Sequence, residues 1–167
     1  MSIPDYRATH KTELQTILQS LTFEGSSLSV STHYRNAGIS DPYIYITSGG
    51  YGSPTNAFES SKFNLDTGSY LRSYQYMITA VWKYASDDNV DPLQEARIDT
   101  LEQLILNKLQ TQSIADGYTN GSGVTVWINL IVKEVAKTFS PNPITKDGLI
   151  YEDFVVEVWN IIDKNQL

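Results

Sequence analysis

No cysteine occurs among the 167 residues of this chain, which excludes a disulfide framework, a thiolate metal site and a thiol nucleophile. Histidine is nearly absent too: His10 and His33 are the whole supply, and they lack the H-x-x-x-H spacing that paired imidazole ligands need. Basic residues are few, 12 Lys and Arg against 19 Asp and Glu, for a net charge of −7. Such a balance excludes a phosphate-neutralising grip on nucleic acid, which requires a Lys/Arg-rich face. It suits solubility, or a surface that lets DNA slide past without sticking. Apolar runs are short; none reaches the roughly 18 residues of a membrane-spanning helix. The first residues, MSIPDYRATHKTELQ, lack a signal peptide's apolar core, so the expectation is a protein made in the cytoplasm that needs no membrane.

What the chain does have is a hydrophobic fraction of 41%, of which aromatics make up a generous share at 11%. At this length that supports one domain, residues 1–167, with a real core. The longest ordered signal is Tyr70 to Tyr84, YLRSYQYMITAVWKY. At period two it alternates Tyr70, Arg72, Tyr74, Tyr76, Ile78, Ala80 and Trp82 against Leu71, Ser73, Gln75, Met77, Thr79 and Val81. Rich in aromatic and β-branched residues and free of Gly and Pro, it predicts one long strand. Both faces are most apolar from Met77 to Val81, so that half should be central in a sheet. The Tyr/Arg/Ser/Gln half is expected to reach an edge, a partner or solvent.

In chain order, residues 3–21 read as an amphipathic helix. Ser2 and Asp5 fit a capping box, and Tyr6, His10, Leu14, Ile17, Leu18 and Leu21 share a face that Gly25 brings to an end. Leu28 to Tyr34 and Tyr43 to Thr47 predict two strands, with a mobile glycine-rich loop, Ser48 to Pro54, after the second. That loop has neither G-x-x-x-x-G-K-[ST] nor G-x-G-x-x-G, and no helix pattern follows it to receive an anion. Residues 55–84 are expected to form an extended hairpin arm with its tip near Asp66 and Gly68. The clearest helix runs from Pro92, capped by Asp91, to about Thr111; Leu93, Ile98, Leu101, Leu104, Ile105 and Leu109 are read as its buried face. Val124 to Ile131 and Leu149 to Ile161 supply two more strands, the first followed by a stretch to Lys137 that extends it or turns helical, and residues 162–167 should fray. Strands outnumber helices without alternating with them. The fold class is therefore α+β: a mixed, mainly antiparallel sheet with two amphipathic helices on one face and a long β-hairpin arm.

A search for chemistry yields little. From Asp87 the run D-x-N-x-D resembles a calcium loop, but Pro92 stands where the motif needs Gly and Ile98 where it needs Glu. Glu152 and Asp153, neighbours on a strand, point to opposite faces or sit in a solvated turn. His10 reads as a half-buried core histidine bonded to a neighbour. His33 has no base or acid partner near it in sequence. No catalytic residue, metal ligand or cofactor is expected. Tyr70, Arg72, Tyr74, Tyr76 and Phe63 are the candidate subunit or partner contacts, since Tyr and Arg are favoured at interfaces.

One layout binds these pieces together. An N-terminal helix leads through a short strand into Tyr43-Ile44-Tyr45-Ile46-Thr47, and a polar arm returns as Arg72-Ser73-Tyr74-Gln75-Tyr76-Met77-Ile78-Thr79-Ala80-Val81-Trp82. An acidic turn then precedes the helix of Leu101 to Leu109. Over roughly residues 5–131 this resembles the tail-terminator (tail-completion) proteins of long-tailed bacteriophages. The resemblance implies a small α+β virion protein that closes into a homo-oligomeric ring, a hexamer, on the last disc of the tail tube. That ring stops tube polymerisation and offers a surface to the head-side connector, with DNA passing through the bore unbound. The alternatives are a head–tail stopper of the virion neck, and a small-molecule-binding or enzymatic α+β domain using Gly49 to Ser53 as a lid over His33 or an acidic pair.

Overall fold

In the computed structural model, which describes residues 6–34, 42–52, 69–85, 92–111, 117–141 and 147–163, a five-stranded sheet carries both helices on one face. The elements in order are α1 (Tyr6–Gln19), β1 (Thr22–Phe23), β2 (Ser26–Ser27), β3 (Val30–Ser31), β4 (Tyr43–Gly52), β5 (Ser69–Ala85), α2 (Pro92–Thr111), β6 (Tyr118–Thr119), β7 (Thr125–Trp127), β8 (Asn129–Pro141) and β9 (Asp147–Asp163). The sheet runs β3-β4-β5-β9-β8. β3 is parallel to β4 and every other pair is antiparallel, so the sheet is mixed and mainly antiparallel as expected.

The predicted strand of residues 70–84 is β5, and it lies at the centre. It pairs with β9 from Ser69↔Asp163 to Ala85↔Asp147 without a register shift, and with β4 from Gly52↔Ser73 to Tyr43↔Val81. The expected arm is not confirmed, and the expectation that the tyrosine half reaches an edge is corrected: the part of the strand with Ser73, Tyr74 and Tyr76 is flanked on both sides. Residues 53–68, which were to supply the arm's other limb and its tip, lie outside the described residues.

Alternation sorts β5 and β9 cleanly. Tyr74, Tyr76, Ile78, Ala80 and Trp82, with Ile150, Phe154, Val156 and Val158, form a continuous core beneath Leu14, Ile17 and Leu18 of α1 and Ile98, Leu101, Ile105 and Leu109 of α2. β8 keeps in step by a bulge at Lys133: Val132 faces Val156, then Glu134 faces Val155 and Val135 faces Phe154. The extra residue lets two valines three apart, Val132 and Val135, both pack against the core.

Several sequence expectations change. The helix expected over residues 3–21 is described from Tyr6 to Gln19, with its proposed cap outside the described residues. Gly25 serves a two-residue hairpin instead of a helix end: Glu24 (φ 50) and Gly25 (φ 81) form the primed turn that joins β1 to β2. The strand expected over Leu28 to Tyr34 shrinks to β3. Gly49, Gly50 and Gly52 belong to β4, which continues through a register shift between Ser48 and Tyr51, so the expected mobile loop is extended strand to Gly52. There is little room for a side chain at Gly49, where a Cβ would come within 3.2 Å of Gln75 on the neighbouring strand. The strand of 124–131 breaks at Ile128 into β7 and β8. Finally, Leu93, expected on the buried face of α2, is 78% exposed.

Leu101 and Ile105 are fully buried. Leu101→Ala or Ile105→Ala should each cost about 2–5 kcal/mol in denaturant unfolding. Leu93→Ala should stay within about 0.5 kcal/mol of wild type.

Candidate functional site

The tyrosines expected to reach a partner serve the core. Tyr74 is 6% exposed and Tyr76 1%. They sit under α1, where Tyr6 and His10 pack on Tyr74 with ring centroids 6.0 and 5.2 Å away, and the Arg7 guanidinium lies 5.5 Å from the Tyr74 centroid. Arg7 reaches on to donate to the carbonyl of Gly49 at 2.8 Å, tying α1 to β4. Tyr74 and Tyr76 are thus withdrawn as surface contacts, for the physical reason that α1 covers them. Arg72 is partly buried opposite Asn160, and Tyr70 lies on β5 opposite Ile162. Phe63 lies outside the described residues.

His10, read as half-buried, is wholly enclosed. Its Nδ1 stands 2.7 Å from the Tyr76 hydroxyl. Its Nε2 falls short of strict hydrogen-bond geometry but lies near the Val126 carbonyl and the Asn160 amide, itself donating to that carbonyl at 2.8 Å. Burial is the largest influence and pushes the imidazole pKa down to about 4; Val126 and Asn160 oppose the fall and Arg7 adds to it. His10 is therefore a neutral bolt between α1, β5 and β9. His33, by contrast, is exposed and meets its own neighbour, Ser31 Oγ, at 3.2 Å, a local turn contact.

A second polar cluster lies under α2, and the sequence reading missed it. Glu152, read as a strand or solvated-turn residue with no role, is fully buried beside Ala80 on the helix side of the sheet, in step with Ile150, Phe154 and Val156. Extending the strand's alternation from Phe154 back by two would have placed it there. Neither carboxylate oxygen has a hydrogen-bond partner. Lys137, opposite it on β8, spends its ammonium on Asp99 and Glu102 of α2, each at 2.8 Å. Burial pushes the Glu152 carboxyl up to about 8; Lys137 pulls it down, while Glu102 and Asp99 push it further up. Burial also lowers Lys137, but its bonds to Asp99 and Glu102 outweigh that and raise it. Among the described residues, no group of three or more His, Asp or Glu side chains is placed to hold a metal ion.

The sheet face opposite the helices has a different character. Tyr43, Tyr45 and Val81 form a small cluster with Leu149 and Tyr151, and exposed Tyr34 leans edge-on against Tyr45 at 5.2 Å. Thr79 donates to Asp153 across the strands at 2.6 Å. Met77 and Ile161, each 39% exposed, interrupt this face. On the helix side, a shallow cavity of about 610 Å³ opens between the β1–β2 hairpin and α2, lined by Phe23, Leu93, Ala96, Thr100 and Leu104. Arg97 closes one wall by bonding Glu24 at 2.9 Å and lying 5.4 Å from the Trp82 ring. The cavity holds no histidine and no buried acid.

Set against known proteins, the chain matches no family model and no curated protein sequence. Among the described residues no helix is long and apolar enough to cross a membrane.

His10 and Glu152 act in opposite directions. His10 has a lowered folded pKa, so its contribution is intact above about pH 6.5 and is lost as pH falls toward 4, about 2–3 kcal/mol in all. Glu152 has a raised folded pKa, so its contribution is full below about pH 4.5 and is lost as pH rises through 8. In pH-dependent denaturation, His10→Gln should therefore gain relative to wild type as pH drops from 6.5 to 4. Glu152→Gln should be more stable than wild type at pH 9 by about 4–5 kcal/mol, and equal to it near pH 4.

Proposed function

We propose that this chain is a structural subunit of the tail-terminator kind: copies close into a ring, six-membered by the resemblance, on the end of a phage tail tube. The ring would halt tube growth and present a surface to the head-side connector, with DNA passing through an unsticky acidic bore. The observation that carries this reading is the sheet face opposite the helices. Both helices and both small β-ribbons send their buried residues to one core on the other side. Across β4, β5 and β9 the remaining face mixes apolar and aromatic residues with exposed Met77 and Ile161, and no helix of the described residues lies over it. Most of that face is already buried, at Tyr43, Tyr45, Val81 and Trp159. What supports the reading is the pair of exposed apolar positions, Met77 and Ile161, on a face that carries no functional cluster among the described residues, which suits contact with a neighbouring subunit. The net charge of −7 and the resemblance in layout over residues 5–131 support the same reading.

The contacts move accordingly, from Tyr74 and Tyr76 to Met77, Ile161 and their surroundings. The test is to add purified chain to polymerising tail-tube protein and view the tubes by negative stain. Capped tubes of limited length, with a ring of density at one end, are expected. Met77→Glu and Ile161→Glu should leave thermal unfolding within a few degrees of wild type and abolish capping. Tubes that ignore the wild-type chain at high concentration would sink the proposal. Immunogold labelling of virions at the neck, away from the tube end, would transfer the chain to the stopper proteins.

A further inference from the structure

The two edges of the sheet are treated differently. At one edge, β3 is two residues long, and its outward carbonyl at Val30 is taken by α1: Gln15 Nε2 donates to it at 2.7 Å and Gln19 Nε2 at 3.5 Å. That edge is short and capped. At the other edge β8 runs from Asn129 to Pro141, and among the described residues no strand lies beyond it. Among the described residues no backbone hydrogen bond leaves its outer side between Glu134 and Ser140. A row of open donors and acceptors of this length is a template for another strand.

The devices that usually guard an edge are otherwise engaged. Lys137 turns under α2 to Asp99 and Glu102, and Lys133 reaches Glu157, at 3.5 Å, within its own sheet. Beyond them stand Thr138, Ser140 and Phe139, the last 52% exposed.

We propose that the open stretch of β8 pairs with the same stretch of a second copy, antiparallel about a two-fold axis at Ala136, so that the two five-stranded sheets run on as one. A second copy fits best for two reasons. The edge is complementary to itself in an antiparallel two-fold, whereas head-to-tail continuation would need the β3 edge, which the α1 glutamines occupy. Charge and length of overlap then select the register, since sliding two toward the C-terminus faces no like charges but runs the pair into Pro141, which has no N–H to donate. Centring on Ala136 sets Glu134 opposite Thr138, Val135 opposite Lys137 and Lys133 opposite Phe139, with no like charges facing. Sliding by one residue either way sets Lys133 against Lys137, or Lys137 against Lys137. Sliding two toward the N-terminus sets Glu134 against Glu134. The Ala136 register also keeps each opposed pair beyond the bulge on one face of the sheet, as a continuous ladder requires. A two-fold pair is closed and cannot be a step within a cyclic ring, so it is a state of the free chain that shields its edge. The inference therefore goes beyond the ring reading and stands apart from it.

The absence of cysteine makes the test clean. Ala136→Cys should form a disulfide-linked dimer under mild oxidation, because residues meeting themselves across such an axis have Cβ atoms within about 5.5 Å. Thr138→Cys alone would face its own copy at about 13 Å and should cross-link at least roughly tenfold less. Mixing Glu134→Cys chain with Thr138→Cys chain should restore the link. Wild-type chain should sediment as a dimer at high concentration, with no tube protein present. Monomeric sedimentation, or equal cross-linking at 134, 136 and 138, would overturn the pair, and self-linking strongest at Thr138 would overturn the register. Circular dichroism matching wild type confirms that each variant is folded. Tube capping is read separately, so a chain that pairs without capping, or caps without pairing, assigns the failure to one idea alone.

Discussion

The unbroken ladder between β5 and β9 is the constraint from which the other features follow. From Ser69↔Asp163 to Ala85↔Asp147 the two strands hold one register, and β4 and β8 join on either side of them. A strand paired on both edges cannot slip by one residue without turning its whole core face to the other side. Tyr74, Tyr76, Ile78, Ala80 and Trp82 are thereby committed to one face, and both helices are drawn to it because that is where their apolar stripes can be covered. The bulge at Lys133 is a consequence: β8 must bring both Val132 and Val135 to the same core, and only an extra residue allows it.

This arrangement encloses His10, Glu152 and Glu157, and His10 and the partly exposed Lys137 each pin a helix to the sheet. His10 holds α1 through the Tyr76 hydroxyl and the Asn160–Val126 pair. Lys137 holds α2 through Asp99 and Glu102, and Glu152 lies beneath it with its own oxygens unbonded. Burying polar groups is costly unless they are bonded, and it penalises alternative packings in which they would be worse placed. The interior accordingly reads as architecture. The surfaces proposed above for contact with other chains lie outward, on the face that bears Met77 and Ile161 and along the edge made by β8.

Much of the framework was legible in the residue order. The bounds of α2 follow from Pro92 at its first turn and the leucine–isoleucine stripe that ends at Leu109. β5 follows from alternation over aromatic and β-branched residues, and the α+β class from the order of elements. The site was far less legible. Tyr74 and Tyr76 look like interface residues because tyrosine suits an interface and a core equally well, and only the position of α1 decides between them. Gly49 and Gly50 look like a loop because glycine has no strand propensity of its own, yet both lie in β4, and at Gly49 close approach to Gln75 on β5 favours the absence of a side chain.

Local chemistry alone determined that this chain has no thiol chemistry, carries a net negative charge, and builds amphipathic helices and several strands, since composition and periodicity act over a few residues. Tertiary structure decided which strands are neighbours, which acid is buried and which edge stays open. Those depend on contacts between residues far apart in the chain, such as Glu152 with Ala80 and Gln15 with Val30, where pairing geometry overrides what any single side chain prefers.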